Sequence, residues 1–217
     1  AASGEVVQTT TDPVATTEAA LATAARVSIE TEALEGSISL LGGRIDDLSL
    51  RAYSETLDEG SPIVRLLSPI GGADPYYALY GWSPGGDLGF DDVPGANTPW
   101  SIETGDTLGL DRPITLVWDN GAGLIFRRTI AVDENYMFTV TQSVENTGTV
   151  AARVAPYGIV ARHGLPEDLQ NFFILHEGVV RKIDGELDEM PYNDLPDLDF
   201  IDREAARAEV IDVTTNG

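Results

Sequence analysis

The chain has 217 residues, contains no cysteine, and carries 36 acidic against 13 basic side chains, which gives a formal net charge of −23. This balance excludes a nucleic-acid binder, because a phosphate backbone requires clustered cations, and the absence of thiols excludes disulfides and thiolate metal sites. A hydrophobic fraction of 42% with 22 Gly and 12 Pro indicates a turn-rich globular domain that is long enough to bury a core.

The first 25 residues differ in composition from the rest of the chain. They contain eight Ala and six Thr, but no aromatic side chain and no Lys or Arg. Such a segment buries too little apolar surface to offset its ordering entropy, so residues 1–25 are predicted to form a flexible Ala/Thr-rich linker. A short helix over residues 17–25 is the alternative, since Ala and Leu favour helix. We expect neither a membrane span nor a signal peptide in the sequence as given.

Alternating apolar and polar side chains begin at Arg26 and predict β-strands. They continue to Gly42-Gly43, a pair that favours a tight hairpin turn because glycine tolerates positive φ. The returning strand, residues 44–53, changes phase between Ile45 and Leu48. This change of phase predicts a β-bulge.

Residues 83–99 are rich in Gly, Pro, Asp and Asn and are too long for an ordinary connection. Loops of this length are usually functional or disordered. Large aromatic side chains lie within the loop and on both sides of it, and they either build a binding groove or pack at the edge of a sheet. These aromatic residues are Tyr76, Tyr77, Tyr80, Trp82, Phe90 and Trp100.

Residues 113–145 have the clearest strand pattern. Turns at residues 120–123 and 133–135 separate three alternating segments, which predicts a three-stranded antiparallel meander. Residues 150–162 supply a fourth strand, and this spacing favours a sandwich or barrel over βαβ units. The expected core positions include Ile114, Leu116, Trp118, Leu124, Phe126, Ile130, Val132, Phe138, Val140 and Val144.

The C-terminal part has a weaker pattern. The apolar run Phe172-Phe173-Ile174-Leu175 favours a strand, although Pro166-Glu167-Asp168 resembles a first helical turn. Residues 184–209 contain ten Asp or Glu against two Arg and are predicted to form an exposed excursion before a final strand at 209–215. The acidic run 184–189 lacks the ligand order of an EF-hand, so a solvated face is favoured over a Ca²⁺ site.

Side chains for catalysis are scarce. With only His163 and His176, a multi-histidine metal centre is excluded, and the sequence has no phosphate-loop, dinucleotide or nucleophile-elbow motif. A histidine with a nearby carboxylate would still suit ring opening of a sugar, as in aldose epimerases. We expect no enzyme activity, no cofactor and no metal, and therefore recognition rather than reaction.

Three segments in a defined order resemble the large periplasmic domain of YidC-type membrane protein insertases of Gram-negative bacteria. The resemblance covers most of residues 26–183, and the ordered set is more specific than any one segment. The segments are Leu40-Leu41-Gly42-Gly43-Arg44-Ile45 continuing to Leu50-Arg51-Ala52-Tyr53, the block from Ile114 through Asp119-Asn120-Gly121-Ala122-Gly123 to Val144-Glu145-Asn146-Thr147-Gly148, and Asn171-Phe172-Phe173-Ile174-Leu175-His176-Glu177-Gly178.

The resemblance implies an all-β fold over residues 26–217, an antiparallel β-supersandwich like that of galactose mutarotases with at most short helices. It also implies a non-catalytic domain on the periplasmic side of the inner membrane that assists membrane protein insertion. The implied partners are auxiliary subunits of the Sec translocon and nascent membrane proteins. The sequence stops before the last strands, the closing helix and the membrane helices of the family, so this piece is expected to be soluble and the full-length protein membrane-anchored.

The partner-binding surface is predicted at residues 83–99 and their flanks. Aromatic anchors there would bury apolar surface, and acidic side chains would meet a basic partner. The alternative function, suggested by the same fold and by the aromatic side chains, is a carbohydrate-binding module or a mutarotase-like sugar epimerase. The predicted partner-binding residues are Trp82, Asp87, Phe90, Asp91, Asp92 and Trp100.

Overall fold

The computed structural model describes residues 16–166, 176–183, 185–192, 194 and 211–213. A single turn of helix, α1 (Thr17–Leu21), precedes the first strand, and the side-chain oxygen of Thr16 caps it by accepting the Ala19 N–H at 3.3 Å. The helix therefore forms within the Ala-rich segment, where Ala20 is buried, while residues 1–15 of the predicted linker lie outside the described residues. No helix in the described ranges is long and apolar enough to cross a membrane.

The larger of two main sheets has eight strands in the order β14-β11-β5-β3-β2-β1-β7, with β4 paired to β3. Its described pairs are antiparallel except for β1 and β7, which run parallel. The strands are β1 (Arg26–Glu30), β2 (Leu34–Ser39), β3 (Arg44–Ser54), β4 (Ile63–Leu67), β5 (Tyr76–Gly85), β7 (Thr107–Leu108), β11 (Ala152–Arg162) and β14 (Ile211–Val213).

The second sheet has four strands in the order β10-β9-β8-β6, and a separate hairpin pairs β12 with β13. The predicted meander is confirmed, because β8, β9 and β10 pair antiparallel in sequence order. The strands are β6 (Ser101–Thr104), β8 (Ile114–Asp119), β9 (Leu124–Val132), β10 (Phe138–Asn146), β12 (Gly178–Ile183) and β13 (Glu186–Pro191).

The predicted turn and bulge of the first hairpin are also confirmed. Gly42 and Gly43 adopt φ values of 76° and 61°, the left-handed pair that a tight two-residue turn requires. In the β2–β3 register Ile38 faces Ile45 and Ser37 faces Asp47, so Asp46 is the extra residue of the bulge.

The core lies between the two main sheets, which confirms the all-β sandwich. The inward row of β9 is almost completely buried, and Phe126 packs against Trp82 of the opposite sheet with ring centroids 5.6 Å apart. The neighbouring row on β10, which includes Phe138, is only partly buried against this cluster. Two facing apolar surfaces thus supply the hydrophobic stabilisation of the fold.

Two segments differ from the prediction, one in its pairing and one in its secondary structure. The predicted fourth strand forms as β11, but it leaves the meander and pairs with β5 and β14 in the larger sheet. The acidic excursion begins with a strand that was not predicted, β13, whose residues 186–189 are exposed. The final strand is confirmed at Ile211–Val213, whereas the run Phe172–Leu175 lies outside the described residues.

Candidate interaction site

The structure divides the six predicted partner-binding residues into a buried and an accessible group. Trp82 and Trp100 are 2% and 4% exposed and belong to the core, so the prediction of surface anchors is wrong for both. Phe90 is 83% exposed, Asp87 and Asp91 are exposed, and Asp92 is half-buried. The accessible candidates therefore form one stretch of the loop.

This stretch, which we call the acidic loop (residues 86–93), is ordered by its own hydrogen bonds. A 3₁₀ turn forms at Phe90–Asp92, and the Asp92 carboxylate accepts the Gly89 N–H at 2.7 Å. Val93 is buried in the core. The turn and the buried Val93 present Phe90 outward while the end of the loop is held against the sandwich.

Asn120, in the turn between β8 and β9, ties the acidic loop to the second sheet. Its side-chain amide donates to the Asp92 carbonyl at 3.1 Å. Its side-chain oxygen accepts the N–H groups of Ala122 and Leu124 at 2.8 and 3.0 Å. One side chain therefore shapes its own turn and anchors the neighbouring loop.

Asn120→Ala is expected to lower the free energy of unfolding by about 2 kcal/mol, since three hydrogen bonds are lost at about 1 kcal/mol or less each. Urea unfolding followed by tryptophan fluorescence measures the change. Asn135→Ala is the matched control, because Asn135 lies in the exposed β9–β10 turn, and it should change stability by less than about 0.5 kcal/mol. Equal effects of the two substitutions would contradict this role of Asn120.

A cleft of about 440 Å³ opens beside the acidic loop at one end of the sandwich. Asp87 and Asp92 line it, whereas Phe90 and Asp91 lie outside its lining. The opposite wall is the β10–β11 turn, which is shaped by Asn146 as it donates to the Val150 carbonyl at 2.9 Å. The other lining residues are Gly85, Gly86, Leu88, Asn120, Ala122, Leu124, Gly148, Thr149, Ala151, Ala152 and Arg153.

The segment that follows the acidic loop pairs with the first hairpin. The Gly42 N–H donates to the Thr98 carbonyl and the Trp100 N–H donates to the Leu40 carbonyl, both at 2.8 Å. A Cβ at Gly42 would overlap the carbonyl of Ala96. The glycine is therefore required both by its positive φ and by the close approach of the loop backbone.

Arg128, at the centre of β9, lies on the other side of this turn and is completely buried. Its guanidinium donates to the carbonyls of Gly42 and Gly43 at 3.1 and 3.0 Å, and also to the carbonyl of Tyr80 on β5. The guanidinium carbon lies 4.5 Å from the centre of the Trp100 ring and 5.7 Å from that of Tyr80. Carbonyl dipoles and aromatic faces thus surround the cation.

Burial changes the ionisation of this cluster. It lowers the pKa of Arg128 to about 10, with Tyr80 and Tyr157 acting in the opposite direction, so the guanidinium is charged at neutral pH. Burial also raises the pKa of Tyr80 and of Tyr157, while the charge of Arg128 lowers both. The core of the domain therefore contains a cation.

Arg128 was not predicted as a functional residue, although the pattern of β9 contained a signal. Leu124, Phe126, Ile130 and Val132 were assigned to one face of the strand, and Arg128 occupies the position between them in the same period of two. An arginine in an otherwise apolar inward row indicates a buried cation with dedicated partners.

A second charged cluster lies at the bulge of β3, next to the Gly42-Gly43 turn. Asp46, which is 2% exposed, pairs with Arg26 and with Arg44, whose Nε lies 3.7 Å from Oδ2. Burial raises the pKa of Asp46, and the hydrogen bond and charge of Arg26 oppose this effect. Arg44 also donates to the Ala96 carbonyl at 3.4 Å, which connects the bulge to the loop.

A more apolar cleft of about 680 Å³ lies at the opposite end of the β5–β11 pair, near Tyr76 and Arg162. Close to this end, Nε2 of the exposed His163 lies 3.5 Å from the Tyr77 hydroxyl, so its recorded polar neighbour is a phenol rather than a carboxylate. Within the described ranges, no group of three or more His, Cys, Asp or Glu side chains is arranged to hold a metal ion. These contacts add no support to the sugar-enzyme alternative.

Comparison with known proteins identifies similar chains. The family model described as YidC periplasmic domain matches residues 26–210. The chain is 68% identical over 206 residues to a membrane protein insertase YidC of Jannaschia sp. (strain CCS1), with 95% of this chain and 33% of that relative covered. It is 65% identical over 194 residues to a protein of the same name from Dinoroseobacter shibae, with 89% of this chain and 32% of the relative covered. The chain spans about a third of the length of these relatives.

Proposed function

The chain belongs to the YidC periplasmic domain family, and from this we propose that it serves as a non-catalytic docking module of a membrane protein insertase. Family membership assigns the domain to the periplasmic side of the inner membrane. We propose that the acidic loop contacts auxiliary subunits of the Sec translocon. Nascent membrane proteins are the second class of partner that an insertase would present to the same surface.

The choice of the acidic loop as the docking surface rests on one observation. Phe90 exposes 83% of its side chain on a loop that Asn120 and Val93 hold in place. An apolar side chain that is both exposed and positioned loses little conformational freedom on binding, which suits it to an interface anchor. Asp87 and Asp91 beside it favour a partner with basic residues, because opposite charges accelerate encounter.

We expect the triple change Asp87→Asn, Asp91→Asn and Asp92→Asn to lower the association rate with the translocon subunits about three- to tenfold at low salt. The reason is the loss of three negative charges from one surface. The change should also reduce the salt dependence of the rate, since screening acts on the charges removed. Binding kinetics measured with the purified subunits on a sensor surface, at several salt concentrations, give both the association rate and its salt dependence.

The chain offers a charge-matched control on the β3–β4 connection. Glu55, Asp58 and Glu59 are exposed there, so their replacement by Gln or Asn removes the same total charge from a different surface. The proposal predicts that this control leaves the association rate within about twofold of wild type. Equal reductions of the association rate in both triple variants would contradict the docking role. So would a pull-down from membranes in which the wild-type domain enriches the translocon subunits no more than the acidic-loop variant does.

A further inference from the structure

We propose that Arg128 is a positioning residue for the acidic loop, an internal cation whose contacts set the backbone from which the loop projects. Only the binding part of this inference rests on the proposed function. The positioning itself concerns contacts within the chain and can be tested without a partner.

Arg128 connects elements that are far apart in sequence. Its three carbonyl partners belong to the first hairpin turn, at Gly42 and Gly43, and to β5, at Tyr80. Its guanidinium also lies over the ring of Trp100, the last residue before the strand Ser101–Thr104. The side chain therefore contacts the turn, the strand that leads into the acidic loop, and Trp100, which ends the connection between that loop and the second sheet.

The chemistry of these contacts favours control of the backbone rather than simple charge neutralisation. Among the described residues, Arg128 contacts carbonyl oxygens and aromatic rings, although the chain contains 36 Asp and Glu side chains. A carboxylate partner would restrain another side chain, whereas a carbonyl partner restrains the main chain itself. The planar guanidinium directs several N–H donors at once, which a lysine ammonium cannot reproduce in the same geometry.

The connection that follows the acidic loop depends on the turn that Arg128 holds. Trp100 and Thr98 are bonded to the backbone of residues 40–42, and Ala96 packs directly on Gly42. A shift of the turn therefore moves residues 96–100, and these residues join the acidic loop to the second sheet. In this way a completely buried residue acts together with Asn120 and Val93 in setting where Phe90 is presented.

Hydrogen exchange of the chain tests the positioning. In Arg128→Lys the amides of Gly42 and Trp100, which bond across the turn and the loop, should exchange at least about tenfold faster than in wild type. Amides at the far end of the β1–β2 pair, such as that of Thr31, which donates to the Leu34 carbonyl at 3.0 Å, should keep their wild-type rates. Arg127→Lys is the matched control, since Arg127 is the adjacent residue of β9 and points to the other face, where it pairs with Glu103 and Glu145 at 2.8 Å.

Each outcome supports or overturns the inference. Local acceleration at Gly42 and Trp100 in the Arg128 variant alone supports positioning. Unchanged exchange, or the same acceleration in every strand, overturns it, because Arg128 would then be either dispensable or only a general stabiliser. Arg128→Lys retains the charge and most of the side-chain volume, so this variant is expected to fold.

A binding measurement separates this inference from the proposed function. If positioning and docking both hold, Arg128→Lys should weaken association with the translocon subunits about as much as the triple Asp variant, while Arg127→Lys should not. Local acceleration of exchange with unchanged binding would leave the positioning role supported and would contradict docking through the acidic loop.

Discussion

Phe126→Ala is expected to lower the free energy of unfolding by about 3–5 kcal/mol, the range for deleting a large aromatic side chain from a core. Phe126 is completely buried in the inward row of β9. Its ring centroid lies 5.6 Å from that of Trp82 and 5.7 Å from that of Trp118, so the substitution leaves a cavity between the sheets. Urea unfolding monitored by circular dichroism measures the loss directly.

Phe90→Ala is the control for this substitution, since it removes the same atoms from a side chain that is 83% exposed. It should change stability by less than about 0.5 kcal/mol. The pair therefore tests whether the inward face of β9 is the core. A loss below about 1 kcal/mol for Phe126→Ala would contradict the facing arrangement of the two sheets.

Gly43→Ala is expected to cost about 2–4 kcal/mol from two sources. Residue 43 has a φ of 61°, and an alanine in the left-handed region costs about 1–2 kcal/mol. A Cβ there would also overlap Nη1 of Arg128, which moves the guanidinium away from its carbonyl partners and leaves buried polar groups unpaired. Thermal and urea unfolding should both show the loss.

Gly121→Ala separates the two sources of this cost. Gly121 has a φ of 71°, close to that of Gly43, but no heavy atom lies within 4 Å of a Cβ built there. It should therefore show only the backbone cost of about 1–2 kcal/mol. Equal losses at the two glycines would mean that Arg128 does not occupy the space beside Gly43.

Local features of the fold were predictable because they depend on neighbours along the chain. The bulge at Asp46 followed from a change of phase in one strand, and the hairpin turn followed from the glycine pair Gly42-Gly43. The meander followed from a period of two interrupted by turn residues. The strand β13 was missed, because a row of acidic side chains indicates exposure and does not distinguish an exposed hairpin from a loop.

The candidate site was predictable only in its position. The composition of residues 83–99 identified the loop, but it did not distinguish Phe90, which is exposed, from Trp82 and Trp100, which are buried. Aromatic side chains suit both a groove and a core, so residue type alone leaves the choice open. The packing of the two sheets decides between core and groove, since the Trp82 ring packs against Phe126 of the opposite sheet.

The amino-acid sequence by itself determined the two-residue period, the turns, the acidic surface charge and, through its ordered motifs, the family. These properties depend on residues close together in the chain or on composition. Only the tertiary structure decided that β11 joins the opposite sheet, which tryptophans are covered, and that Arg128 binds carbonyls 85 and 86 residues away. Burial and hydrogen bonding of this kind arise when distant segments meet, and the free energy of those contacts is a property of the packed pair rather than of either segment alone.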